Sequence, residues 1–147
     1  MIVKMDDAAI RDRLDEYAAG FSRGEPERVV AFYKPGAVIT FHLVGADELR
    51  AYNGGWLGAL VRGALPATRV VRMLFRNVEK SIYDHSSITV HDVRGDRALL
   101  TFDRVNRLGT TFESAGAIYR VEAIGAQLFI AEAWLFDSLD DARKQFA

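Results

Sequence analysis

Apolar residues recur at steps of three and four between Asp6 and Ser22. Ile10, Leu14, Tyr17, Ala18 and Phe21 fall on one face, the pattern of an amphipathic helix. Asp6 or Asp7 suits the cap at its start, and Gly24 the left-handed residue beyond its end. Glu25-Pro26 opens a second, short helix, because proline fits a first helical turn. Val29, Val30, Phe32 and Tyr33 fill that helix, and Lys34-Pro35-Gly36 ends it.

The texture then turns to strand over Ala37–His42, dense in Val, Ile, Thr and Phe. After Gly45 the pattern predicts a third helix, with Leu49, Tyr52, Trp56 and Leu60 on one side. Gly54-Gly55 weakens it by about 1 kcal/mol per glycine. From Thr68 onward strands are expected over 68–83, 86–94, 97–108, 111–123 and 127–136. Turn signals such as Arg94-Gly95-Asp96 and Leu108-Gly109 separate them. A short terminal helix capped by Ser138 closes the chain. Helices followed by an antiparallel meander predict an α+β fold in one domain, 1–147: a cone-shaped barrel of N-terminal helices on a strongly curved, mainly antiparallel sheet. The hollow between the two layers is the expected site for a small molecule.

Composition narrows the functions. In 147 residues, 50% are hydrophobic and 27% charged, ordinary for a globular domain. A net charge of −1 argues against nucleic acid, which requires a concentrated cationic surface. Arg62, Arg69, Arg72 and Arg76 form a local cluster that reads as a solvated rim. With no cysteine there is neither a thiolate nucleophile nor a cysteine-bound metal. No segment has the apolar length of a signal peptide or a bilayer span, so a cytoplasmic protein is expected, without membrane attachment. His42, His85 and His91 lack close spacing to carboxylates, and no metal or cofactor is expected.

The opening stretch LDEYAAGFSRGEPERVVAFYKPGAVITF resembles the first helices and strand of the nuclear transport factor 2-like superfamily, and AIYRVEAIGAQLFIAEAWLFD resembles its last hairpin. The resemblance implies the conical fold, on which isomerases, cyclases, dehydratases, epoxide hydrolases and non-catalytic modules are built. Laid on ketosteroid isomerase, Tyr17 falls on the oxyanion-donating tyrosine, while Phe41 and Ala117 stand where that enzyme has its two aspartates. Laid on limonene epoxide hydrolase, Arg104 matches the catalytic arginine, but Asn106 and Trp134 replace its aspartates. SnoaL-type cyclases share the scaffold without a motif that selects them here.

Two carboxylates remain as candidates for acid–base chemistry. Alternation along the last strand puts Ile130, Glu132, Trp134 and Phe136 on one face, and the isomerase-like register turns Glu132 and Trp134 inward. That register also aims Leu99, Thr101, Asp103 and Val105 inward, whereas the epoxide-hydrolase-like one aims Phe102, Arg104 and Asn106 there. The expected catalytic set is Asp103, Glu132 and Tyr17, with Tyr52, Trp56, Arg104, Tyr119, Trp134 and His42 binding a small apolar organic substrate. Without chemistry, the same pocket is a binding module for an apolar ligand. Finally, Ile118 and Arg120 with Phe129, Ala131, Ala133 and Leu135 would form a flat outer face, through which a homodimer is expected. A terminal segment folding back over that face is the competing arrangement.

Overall fold

The computed structural model describes residues 5–23, 25–42, 64–72, 83–106, 111–136 and 138–147; the side chains of several strand-end residues, Asp103 and Arg104 among them, lie outside the described set. The elements run α1 (Asp7–Ser22), α2 (Pro26–Val30), β1 (Tyr33–His42), β2 (Ala64–Pro66), β3 (Tyr83–Arg94), β4 (Arg97–Asn106), β5 (Thr111–Ile124), β6 (Gln127–Phe136) and a C-terminal helix (Leu139–Phe146). Residues 67–72 are also helical. The strands form one curved sheet in the order β2-β1-β6-β5-β4-β3, antiparallel except where β1 runs parallel to β6.

The first helix follows its apolar stripe. Ile10, Leu14 and Tyr17 are buried against the sheet, and Asp6 caps the start by accepting the Ala9 amide at 2.9 Å. Arg13 ties this helix to the sheet by donating to the Leu128 carbonyl at 2.8 Å while lying over the Phe32 ring. Asp7–Ser22 and the strands from β3 to β6 lie where the pattern placed them. At the Arg94-Gly95-Asp96 turn, Gly95 takes φ +62°, a conformation that favours glycine.

Three expectations change. Tyr33 opens β1 instead of ending α2, and the Lys34-Pro35-Gly36 breaker bulges within the strand, where the register to β6 jumps between Tyr33 and Val38. Residues 68–72, read as strand from their β-branched texture, are helical; Val70 and Val71 are buried, and packing overrides propensity. The short strand β2 was not anticipated. The third helix, Gly24 and Leu108-Gly109 lie outside the described residues. So do Arg62 and Arg76; of that cluster, Arg69 is exposed and Arg72 pairs with Glu27.

The decisive feature is a bulge in β6. Arg120 pairs with Glu132 but Val121 pairs with Ile130, so Ala131 is an extra residue that reverses the alternation. Before it, Leu128 and Ile130 face the helices; after it, Ala133 and Leu135 do. Glu132, Trp134 and Phe136 are therefore on the outer face. The C-terminal helix covers part of that face, packing Ala142 and Phe146 on Leu99, Ile118 and Phe136. The flat apolar surface drawn for a homodimer is thus absent in that form: Ala133 and Leu135 are internal, and the segment from Ser138 has folded back over Ile118. Beyond the helix, the outer face carries a charged ladder, with Lys34 to Glu122 at 2.9 Å, Arg120 to Glu122 at 2.7 Å and Arg120 to Glu132 at 3.6 Å.

Candidate functional site

The polar centre of the interior is built from tyrosines. Tyr17 comes from the buried face of α1, Tyr33 from the first residue of β1, and Tyr119 from the inward row of β5. Their exposures are 1%, 5% and 1%. The Tyr17 hydroxyl bonds those of both Tyr33 and Tyr119, the latter at 2.8 Å, and Tyr33 donates to Tyr119 over a longer 3.4 Å. The rings meet edge to face, Tyr17 lying 5.7 Å from Tyr33 and 5.5 Å from Tyr119, the geometry that aromatic quadrupoles favour.

Burial controls the chemistry of these phenols. A phenolate in an apolar interior loses its hydration, so Tyr17 and Tyr119 are both raised well above the ordinary 10.0. The nearness of another phenolate raises them further. Tyr33 is pushed by burial to about 12, held there by bonds to Tyr119 and Tyr17 that would stabilise its anion. At neutral pH all three stay protonated and can donate hydrogen bonds.

The remaining candidates divide. Tyr119 joins Tyr17 as expected, whereas Tyr33 was missed, having been read as a filler of the second helix. Its signal was the Phe32-Tyr33 pair immediately before a strand, too far beyond Pro26 for a short helix to need it. Glu132 does not face the interior: the Ala131 bulge turns it outward beside Arg120, with its side chain 30% exposed. Trp134 turns outward with it and packs near the C-terminal helix. Along β4, Ala98 and Leu100 face the helices and Leu99 the C-terminal helix, so the isomerase-like alternation fails for Leu99. Thr101 shares the outer row with Leu99 and bonds His91 at 2.7 Å. Asp103 pairs through its backbone with Ser87, and Arg104 with Ser86 and Phe112. The side chains of Asp103, Arg104 and His42, and all of Tyr52 and Trp56, lie outside the described residues. Among those described, no group of His, Asp or Glu could hold a metal ion, and no helix is long and apolar enough to cross a membrane.

Because Glu132 contributes only a long, partly exposed ion pair, Glu132→Gln should cost less than about 1 kcal/mol in chemical denaturation. It should leave interior ligand binding unchanged. A larger loss of either would return Glu132 to the site.

No family model and no curated protein matches the chain. Solved structures do. A nuclear transport factor 2-like protein of unknown function from Burkholderia pseudomallei superposes with a TM-score of 0.58 at 13% identity, covering 91% of this chain and 94% of its own. A ketosteroid isomerase-like protein from Erwinia carotovora atroseptica gives 0.55 at 13% identity, over 88% and 93% of the two chains. A type 2 hexachlorocyclohexane dehydrochlorinase gives 0.53 at 13% identity, over 87% and 82%. The chain has the nuclear transport factor 2-like fold, as its helices and hairpin led one to expect.

Proposed function

We propose that this chain takes up a small, mostly apolar organic molecule between its helices and its sheet and acts on it as a cofactor-independent acid–base enzyme, of isomerase, cyclase, dehydratase or epoxide hydrolase type. The tyrosine triad carries the reading. Hydroxyl donors held in an apolar interior stabilise negative charge developing on a substrate oxygen far better than water-exposed donors do. Tyr17 is the donor in this proposal: its single O–H, given to Tyr33 while Tyr33 donates to Tyr119, turns to the substrate oxygen when one binds. Asp103 is its acid–base group in this proposal; it follows Leu99 and Thr101 in the outer row of β4, so the role rests on a change of phase where the register to β5 shifts between Phe102 and Arg104. Two solved structures of this fold bear enzyme-related names, a ketosteroid isomerase-like protein and a hexachlorocyclohexane dehydrochlorinase.

A second reading, a binding module without chemistry, has its own support. One of the two expected carboxylates, Glu132, lies outside, and the polar groups described in the interior are neutral hydroxyls.

The probe for both is para-nitrophenol, whose phenolate resembles an enolate and whose absorbance reports the hydrogen bonds it accepts. Tyr17→Phe should weaken phenolate binding by about tenfold to a hundredfold, the worth of a donor to a charged acceptor. Equal affinity in wild type and variant removes the triad from the site. Turnover of epoxides, lactones or enolisable ketones that disappears in Asp103→Asn supports the enzyme. Phenolate binding with every screened compound recovered unchanged leaves the binding module.

A further inference from the structure

A groove of about 490 Å³ runs between the C-terminal helix and the outer face of the sheet, on the side of the sheet away from the tyrosine triad. Ile118, Trp134 and Phe136 form its apolar lining, joined by Arg97 from β4 and by Asp141 and Lys144 from the helix. The bulge at Ala131 sets Trp134 here.

The charges of the groove are unequal in what they leave free. Asp141 is engaged at the helix start, where its carboxylate accepts from the Ser138 hydroxyl at 3.0 Å and its amide donates to the same oxygen at 3.2 Å. The Arg97 guanidinium is held in place, donating to the Phe146 carbonyl at 3.2 Å and lying 5.2 Å from the centre of the Phe146 ring. That contact uses one of its several N–H donors. Lys144 is exposed, one turn beyond Asp141, and makes no ion pair among the described residues. A pre-positioned guanidinium and an uncommitted ammonium thus flank an aromatic floor.

We propose that this groove binds an organic monoanion with a flat apolar body, an arylcarboxylate, its ring against Trp134 and its carboxylate between Arg97 and Lys144. Charge complementarity selects the anion, and the half-buried indole of Trp134 selects the flat ring. The site is independent of the interior one and needs no chemistry.

Naphthoate, titrated into the full chain and followed by amide and indole nitrogen–proton correlation spectra, tests this. Saturable shifts are expected at the Trp134 indole, assigned by Trp134→Phe, and at the Lys144 and Gln145 amides. The uncharged analogue naphthalenemethanol and the variant Lys144→Glu should each weaken binding by about tenfold, as loss or reversal of a part-exposed charge contact does. Lys144 is exposed, so its reversal should leave the fold intact, which the same spectra verify. Tyr17→Phe should leave naphthoate affinity unchanged, which separates this site from the interior one. Absence of saturable shifts at Trp134, equal affinity for the alcohol, or a chain whose groove is covered by a second copy in sedimentation would overturn the proposal.

Discussion

Gly116→Ala should loosen the C-terminal helix and cost the fold about 1–3 kcal/mol, the usual penalty for forcing an extra methyl into a packed interior. Gly116 lies on β5 opposite Thr101 and Phe136, directly beneath the start of that helix. A Cβ built there falls onto the Ser138 carbonyl oxygen and within 2.8 Å of the Ala142 side chain. Backbone cannot rotate aside as a long side chain can, so the helix has to move. With it move Ala142 and Phe146, which are 0% and 2% exposed over Leu99 and Ile118. The signature is therefore local as well as global: faster hydrogen exchange at residues 139–146 and new binding of an apolar dye, besides a lower denaturation midpoint. Gly95→Ala is the control. It strains a turn at φ +62° but meets nothing within 4 Å, so it should cost about 1 kcal/mol and leave exchange in the helix untouched. Equal exchange in the two variants would mean that the helix does not rest on Gly116.

That contact was not visible in the sequence, though much around it was. The stripe Ile10, Leu14, Tyr17 predicted a helix face that is buried. Ser138 predicted a cap that forms. These are local rules, in which the period of the pattern and the chemistry of the ends suffice. Ala131 is the opposite case. Nothing in QLFIAEAWLF marks one residue as extra, because both faces of the strand are apolar and either phase of the alternation buries equally well. The phase is set by the partner strand, in the pairing of Arg120 with Glu132, so one bulge carried Glu132 and Trp134 from the interior to the outside.

The candidate site was legible in the same measure. Tyr17 and Tyr119 followed from phases that hold along α1 and β5, where no bulge intervenes between Gly116 and Arg120. Tyr33 depended on where a short helix stops and a strand begins. Apolar residues flanked both sides of that boundary, so hydrophobicity alone could not fix it. In the charge ladder on the outer face, Arg120, Glu122 and Glu132 belong to one hairpin, but Lys34 joins them from β1 only because of the strand order.

The triad should also make the fold labile to alkali in a defined window. An ordinary tyrosine ionises near 10.0, whereas Tyr33 is held at about 12, and burial raises Tyr17 and Tyr119 well above 10.0. The folded chain therefore keeps protons that the unfolded chain releases above pH 10. The resulting stability is whole below that pH and is lost as pH climbs through 12. The shift of Tyr33 alone amounts to on the order of 3 kcal/mol, a sizeable share of the stability of a domain this size. Phenolate absorbance from the three should thus rise together with loss of the helical signal, in one cooperative step. Tyr17→Phe removes the centre of the cluster and leaves Tyr33 and Tyr119 joined at 3.4 Å. At neutral pH it should cost about 1–3 kcal/mol, the range for stranding buried hydrogen-bond partners. Its alkaline transition should release one proton fewer and depend less steeply on pH, because stability changes with pH in proportion to the protons exchanged on unfolding. Phenolate appearing near pH 10 in a chain that stays folded would place these hydroxyls in contact with water, and the interior would then lack the low dielectric on which the proposed donor role of Tyr17 depends.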